Sequence, residues 1–331
     1  MSDGAVGKLA ERHAGRAAAA AKRVALQYVG VGIVLIAITA YLSATQTNFA
    51  TWDNARIILS QQAVLMIVAV GLTFVLIVGG LDLSMGGMLG LAGVITWELT
   101  KRGVPVWGTI VLVVVGGFVV GAATNGFLIA KLNLSFLVVT LGTGGAFAAL
   151  ALIITQGQTQ SLLSSRGLQT IGSGGLGALP WIVVVSVGLL ALSALVLRYT
   201  GFGRMVYATG GNQEAARLAG IDVVLVRLVV YGLSSALAAT AGVLEAAHLA
   251  SANPQSGQTI VLDAAAAVLI GGTSFMGGSG TMLGTFLGVL FLGVLSNGLT
   301  RLDISAYWNG FVTGAVLIFA LLVDRLRFRA R

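Results

Sequence analysis

Residues 106–130 read VWGTIVLVVVGGFVVGAATNGFLIA, and none of these 25 positions carries an ionisable side chain. A helix needs roughly 20 apolar residues to cross the ~30 Å hydrocarbon core of a bilayer. The stretch therefore predicts a membrane-spanning helix. The whole chain agrees, because 57% of its 331 residues are hydrophobic and only 9% are charged. A soluble domain of this length needs far more charge to cover its surface.

Nine further apolar runs are bounded by polar or glycine-rich breaks, at 24–43, 57–79, 85–99, 134–155, 180–198, 226–249, 259–275, 281–300 and 306–323. The sequence thus predicts an all-α polytopic membrane protein with about ten transmembrane helices. The runs at 85–99 and 259–275 are short, so broken helices and only eight or nine full spans remain open. We expect a basic N-terminal segment at 1–23, a transmembrane domain at 24–324 and a basic tail at 325–331. No A-x-A-like cleavage site follows the first run, which is interpreted as a retained helix.

The basic residues predict the orientation. With a cytoplasmic N-terminus, 14 of the 19 Lys and Arg residues fall inside and 5 fall outside, the bias that the positive-inside rule expects. The five tryptophans then all lie near outer span ends, where an indole ring prefers the membrane interface. We expect both termini in the cytoplasm of a bacterial cell, with the chain in its inner membrane.

Catalytic and metal-binding patterns are scarce. The chain has no Cys and no G-x-x-x-x-G-K-[ST] phosphate loop, and its two histidines have no metal-ligand spacing. The stretch Gly172-Ser-Gly-Gly-Leu-Gly177 fits G-x-G-x-x-G formally, but we interpret it as a flexible turn in an outer loop. The sequence therefore predicts no enzyme activity, no metal site and no cofactor in this chain.

The acidic residue Glu245 and the basic residue His248 lie near the end of a predicted span and form a possible pair. Glu245 and His248 are three residues apart on one helical face, so we expect them to contact each other. A pair at the membrane interface and a lining of a proton or substrate path are both open interpretations.

Two segments resemble each other: VLIVGGLDLSMGGMLGLAGV (75–94) and VLIGGTSFMGGSGTMLGTFLGV (268–289). The resemblance indicates either a duplicated architecture or the shared composition of glycine-rich membrane helices. Under both interpretations G-x-x-x-G spacing predicts close helix packing at Gly86, Gly90, Gly280, Gly284 and Gly288.

The longest predicted inside loop reads RYTGFGRMVYATGGNQEAARLAGIDVVLVR (198–227). Asn212 is placed as an N-cap, Glu214 lies in the first turn and Gly220 is a helix stop. The sequence predicts a short helix on the cytoplasmic face, which is either a docking element for a partner or a solvated connector.

This loop resembles the coupling segment of ABC-type sugar permeases of the ribose/xylose/galactoside class. That family carries Gly-Arg, an aromatic residue and then GGN-x-x-AA-R-x-x-G, which match Gly203, Arg204, Tyr207, Gly210, Gly211, Asn212, Ala215, Ala216, Arg217 and Gly220. The stretches 70–93, 124–143 and 262–299 are similar to further family signatures. The resemblance covers roughly residues 55–325 in consistent order.

The resemblance implies the ABC importer permease fold and a set of partners. These are a cytoplasmic ABC ATPase dimer, an extracytoplasmic sugar-binding protein and a second permease copy or paralogue. ATP and Mg²⁺ would bind to the ATPase subunits, and the coupling loop 199–225 would contact them. No nucleic acid partner is expected.

A sugar path should be lined with small, hydroxyl and amide groups, which gives seven candidates on pattern alone: Thr73, Ser84, Asn125, Thr140, Thr143, Ser274 and Asn297. Asp82, an ionisable residue near a span, is the eighth candidate. The alternatives are an ABC permease for branched-chain amino acids, nucleosides or a furanose-like signal molecule. An ion-coupled secondary transporter or channel is a rival of another class, and an enzyme acting on lipid-linked sugars is a third.

Overall fold

The computed structural model describes residues 30–305 and 307–329, without the side chains of residues 309 and 323–329. The basic segment 1–23, the start of the first predicted span and the last two residues lie outside the described part. The domain boundaries predicted there stay predictions.

The described helices cover most of the chain. In chain order they are α1 Gly30–Thr45, α2 Trp52–Ile77, α3 Met85–Lys101, α4 Val106–Gly121, α5 Phe127–Ala130, α6 Phe136–Thr155, α7 Arg166–Ser173, α8 Trp181–Tyr199, α9 Gly201–Gly211, α10 Gln213–Leu218, α11 Val223–His248, α12 Ile260–Ile270, α13 Met282–Arg301 and α14 Tyr307–Arg329. A π-helical turn, Ala122–Gly126, joins α4 to α5. Four two-residue strands form two small antiparallel pairs, β1 Gln160–Ser161 with β4 Ser251–Ala252 and β2 Gly175–Leu176 with β3 Leu179–Pro180.

The prediction of an all-α polytopic membrane protein is confirmed. Within the described residues, six helical stretches are long and apolar enough to cross a membrane, and shorter apolar helices accompany them. Each predicted span corresponds to a helix, with α4, the π turn and α5 together forming one of them. The helix α14 continues through Arg329, so no helix boundary marks the predicted tail at 325.

The surface of the bundle is apolar where lipid would surround it. Val138, Ile153 and Phe311 are about seven-tenths exposed although they are large hydrophobic residues. Such a surface is unusual for a soluble monomer and suits a bilayer.

We name the two ends of the bundle by the helices that they carry. The α7 end holds α7 and both small sheets, and the α10 end holds α9 and α10. All five tryptophans lie close to helix termini at the α7 end: Trp52, Trp97, Trp107, Trp181 and Trp308.

The helix α11 lies at the centre of the bundle and packs against α2, α3 and α4. Small residues allow this close packing. A methyl group on Gly121 would lie 2.3 Å from the Cβ of Ser235, and one on Gly242 would lie 2.2 Å from the carbonyl oxygen of Leu89. Small residues at helix interfaces are the usual means by which membrane helices approach each other.

Three non-helical segments interrupt the bundle, at 78–84, 253–259 and 271–281. The second lies along α3, since a methyl group on Gly86 or Gly90 would meet the carbonyl oxygens of Gly257 or of Pro254 and Ser256. Irregular backbone at membrane depth requires such burial in protein. The predicted run at 259–275 is accordingly a helix of only 11 residues, α12.

The predicted packing glycines pack against two kinds of neighbour. Gly86 and Gly90 contact the irregular segment 253–259 rather than a second helix. Gly280 precedes α13, and a methyl group added to it would meet the side chain of Thr273. Gly284 and Gly288 lie in α13 and contact α12 through Gly271 and Ala267.

The prediction of a flexible turn at 172–177 is wrong. Residues up to Ser173 belong to α7, and Gly175 and Leu176 form β2 of a tight hairpin. Gly172 packs against the backbone of Ala247, which leaves no space for a side chain. Glycine is therefore present for close packing, and Gly177 supplies the positive φ of +62° in the hairpin turn.

Candidate coupling surface and buried polar cluster

The predicted coupling loop forms two consecutive helices. Asn212 separates α9 from α10 and caps α10, because its side-chain oxygen accepts the Ala215 N–H at 3.0 Å. Gly220 follows α10 with a φ of +84°. The stretch Gly201–Gly211 forms the helix α9, which Thr200 caps.

The helix α10 presents one face outward. Glu214, Ala215 and Arg217 are exposed, whereas Ala216 is only 4% exposed. Sequence reasoning missed Leu218, which is 86% exposed at the tip of α10. An exposed leucine among charged residues is the arrangement of an amphipathic docking helix.

The helix α9 packs by backbone contact against the end of α2, where the segment 78–84 begins, and against the segment 271–281. A methyl group on Gly210 would lie 1.6 Å from the Ile77 carbonyl oxygen and 2.7 Å from the Gly278 nitrogen. The Gly278 N–H donates to that same carbonyl at 2.8 Å. The Tyr207 hydroxyl donates to the Gly280 carbonyl at 2.7 Å. We call these contacts between α9, the end of α2 and the segment 271–281 the glycine junction.

The other loop residues lie around the junction. Gly203 is buried against the carbonyls of Val196 and Leu197, which permits the sharp turn from α8 into α9. Arg204 and Gly211 are exposed.

The junction joins the loops that follow α2 and α12, which belong to the two segments that resemble each other in sequence. Duplication of these segments stays a prediction.

Five side chains from four parts of the chain form a buried polar cluster. Asp82 accepts hydrogen bonds from the Ser84 N–H at 3.0 Å, the Ser84 hydroxyl at 2.5 Å and the Ser234 hydroxyl at 2.7 Å. The Asn125 amide donates to Asp82 at 3.3 Å and to Ser84 at 2.7 Å, and the Thr143 hydroxyl donates to the Asn125 oxygen at 2.7 Å. Asp82, Ser84, Asn125 and Ser234 are all 0% exposed.

The local backbone places these side chains. The π turn at Ala122–Gly126 contains Asn125 and interrupts the regular helical spacing between α4 and α5; such turns occur mainly at functional sites. Asp82 and Ser84 lie in the segment 78–84, and Ser234 lies in the middle of α11. The cluster therefore links the segment 78–84 to α11 and to the π turn at the end of α4. Sequence reasoning included four members but missed Ser234.

The remaining predicted pathway residues lie elsewhere. The Thr73 hydroxyl is 2.7 Å from that of Thr285, and Asn297 accepts a hydrogen bond from Asn54 at 3.1 Å. Thr140 bonds to its own helix, and Ser274 caps the turn at Met276. The eight residues thus divide among the buried polar cluster, two interhelical contacts and two local hydrogen bonds. Contact of any of them with a solute stays a prediction.

The predicted contact between Glu245 and His248 is wrong. The Glu245 carboxyl is within hydrogen-bonding reach of Ser256, and its Oε2 has no partner. His248 is exposed, and its Nδ1 is 3.2 Å from the Gly172 carbonyl oxygen. The ion pair found among the described side chains is a different one, Arg102 with Glu98 at 2.7 Å.

No group of three or more His, Asp and Glu side chains within the described ranges is arranged to hold a metal ion. The described residues thus provide an exposed helical tip, a tight backbone junction and a buried cluster that ties helices together.

Comparison with known proteins supplies the family. Residues 54–321 match the family described as branched-chain amino acid transport system / permease component. The ribose import permease protein RbsC of Haemophilus influenzae is 35% identical over 88% of this chain and 91% of its own. RbsC of Bacillus subtilis is 36% identical over 91% of this chain and 93% of its own. The autoinducer 2 import system permease protein LsrC of Salmonella typhi is 33% identical over 89% and 85%. No solved structure matches the chain significantly.

Proposed function

The chain belongs to the branched-chain amino acid transport system / permease component family, and from this premise we propose that it forms the translocation pathway of an ATP-driven sugar importer. The observation that carries the proposal is the 36% identity to a ribose import permease over 91% of this chain. A second candidate solute is a furanose-like signal molecule, which the similarity to an autoinducer 2 import permease favours.

The proposed partners are a cytoplasmic ABC ATPase dimer, an extracytoplasmic sugar-binding protein and a second permease copy. ATP and Mg²⁺ bind to the ATPase subunits and not to this chain. The α10 end faces the cytoplasm of a bacterial cell, together with both termini, and the chain lies in the inner membrane. The charge bias of 14 basic residues against 5 supports this orientation.

The proposed coupling runs from the ATPase through α10 and α9 to the bundle. Leu218 and the charged face of α10 are exposed for docking. The glycine junction connects α9 rigidly to the segments 78–84 and 271–281. Movement of the docked helix therefore biases the arrangement of the spans, which is what coupling between two sites requires.

Uptake by the assembled transporter tests the function. Vesicles that contain this chain, the candidate ATPase and the candidate binding protein are expected to take up labelled D-ribose only when ATP is supplied. Uptake by this chain alone, driven by a proton gradient, would instead identify a secondary transporter. ATP-dependent uptake of L-leucine without uptake of D-ribose would retain the family and overturn the sugar.

Leu218→Glu is expected to weaken the retention of the ATPase on the tagged permease. Burial of a leucine side chain stabilises a contact by about 1.5–3 kcal/mol, which corresponds to at least tenfold in affinity. Copurification measures the effect. Leu176→Glu is the matched control, since Leu176 is 65% exposed at the opposite end of the bundle. Equal retention of the ATPase by both variants would contradict docking at α10.

A further inference from the structure

Two adjoining cavities lie between α2, the end of α11, α12, α13 and α14, toward the α7 end. The larger has a volume of about 790 Å³ and the smaller about 440 Å³. They share the lining residues Gln62, Leu65, Thr259 and Asp263, and we call the two cavities together the space. Each of the two volumes lies in the range of small-molecule sites in proteins, ~300–1,000 Å³.

The space reaches deep into the bundle. Gln62 lies ten residues after Trp52, the first residue of α2. At ~1.5 Å per residue this is roughly 15 Å, about half of the hydrocarbon thickness. Asp263 lies in the first turn of α12, directly after the irregular segment 253–259.

Two carboxyl groups line the space, Glu245 and Asp263. Neither forms an ion pair with another described side chain. Asp263 is within hydrogen-bonding reach of Thr313, and the Glu245 Oε2 is buried without any partner. Carboxyl groups at membrane depth are costly, and they usually face a water-filled cavity or a transported solute.

The chemistry of the lining favours one class of solute. The carboxyl oxygens and the Gln62 side-chain oxygen accept hydrogen bonds, which the hydroxyl groups of a neutral solute donate. The carboxylate of an amino acid would need donors or a cationic partner in the lining. The cationic candidates in the lining, Arg56 and His248, are exposed near the ends of their helices and not beside Gln62.

We propose that Gln62, Glu245 and Asp263 form a solute-binding site for a neutral polyhydroxylated molecule within the membrane-spanning bundle. The inference rests on the proposed import function, in which the α7 end faces the binding protein. It adds the residues that recognise the solute and the hydrogen-bond acceptors that match the hydroxyl groups of a sugar. These residues differ from the eight predicted from sequence.

Cysteine labelling tests the location of the site, because the natural chain contains no Cys. Gln62→Cys in the complete transporter is expected to react with a membrane-impermeant maleimide added from the extracytoplasmic side. D-ribose at about twice its dissociation constant should slow the reaction about threefold, and L-leucine should not. Ser84→Cys is the control for a buried position, since Ser84 is 0% exposed. Equal labelling of Gln62→Cys with and without D-ribose, under conditions where D-ribose is transported, would overturn the site.

Uptake by neutralised variants tests the chemistry of the site. Glu245→Gln and Asp263→Asn are each expected to lower D-ribose uptake at least about tenfold, as the loss of one charge-assisted hydrogen bond predicts. Glu98→Gln is the matched control, because Glu98 lies at the same end of the bundle and pairs with Arg102. Copurification of the ATPase reports whether each variant is folded.

Different results would contradict the proposed import function and the proposed solute-binding site. If the natural complex takes up L-leucine and not D-ribose, the proposed function is wrong. If the natural complex takes up D-ribose and both neutralised variants do so equally well, the import function stands and this site is wrong.

Discussion

Gly210→Ala is expected to lower sugar uptake by the assembled transporter about 5- to 150-fold. The added methyl group would lie 1.6 Å from the Ile77 carbonyl oxygen, so either α9 or the end of α2 must move. Overpacking of this kind costs about 1–3 kcal/mol, which corresponds to that range in the population of the packed arrangement. The hydrogen bond from Gly278 to Ile77 lies in the same contact and would be lost or lengthened.

The adjacent glycine provides a control that separates packing from helix propensity. Alanine favours a helix over glycine by about 0.5–1 kcal/mol at either position. A methyl group on Gly211 would meet nothing within 4 Å, so Gly211→Ala should transport as the natural chain does and be at least as stable. ATP-dependent uptake and the unfolding temperature in detergent measure both variants. If Gly210→Ala and Gly211→Ala behave alike, the glycine junction does not transmit movement.

The fold was predictable because membrane spans depend on long apolar runs. The run at 106–130 is a helix throughout, with a π turn that the sequence did not indicate. Asn212 was predicted as an N-cap for a local reason, since its side chain reaches the N–H three residues later. These features depend on residues that are close in the sequence, which is why pattern alone identified them.

The sites were less predictable because they depend on contacts between distant residues. Ser234 was missed because nothing in its neighbourhood distinguishes it from other small residues in α11, and its role arises from Asp82, which is 152 positions away. The spacing of Glu245 and His248 places them on one helical face, yet their side chains contact different partners. Periodicity gives the face of a helix, whereas the neighbouring elements decide what the side chain meets.

The glycine junction and the buried polar cluster act on the same segment. Residue Ile77, just before the segment 78–84, accepts the Gly278 hydrogen bond at the junction. A few residues later Asp82 holds the segment to α11 and to the π turn. In the proposed coupling, a displacement of α9 reaches α11, the central helix, through the four residues 78–81. Attachment of the segment at both ends is what this coupling requires.

Asp82→Ala is expected to abolish ATP-dependent uptake and to lower the unfolding temperature by several degrees. The substitution removes the acceptor of four hydrogen bonds. The Ser234 hydroxyl can turn to a carbonyl of its own helix, and Ser84 and Asn125 can still bond to each other. The buried Ser84 N–H loses its acceptor, which alone costs about 1–3 kcal/mol.

Asp82→Asn and Asp303→Asn distinguish the loss of these hydrogen bonds from the loss of a negative charge. In Asp82→Asn an N–H₂ group replaces one of two acceptor oxygens and meets donors from Ser84 or Ser234, so we expect most of the defect to remain. Asp303 is exposed and has a φ of +57°, a conformation that asparagine adopts readily. Asp303→Asn should therefore be neutral in uptake and in unfolding temperature. Full activity of Asp82→Asn would show that the cluster does not need both carboxyl oxygens.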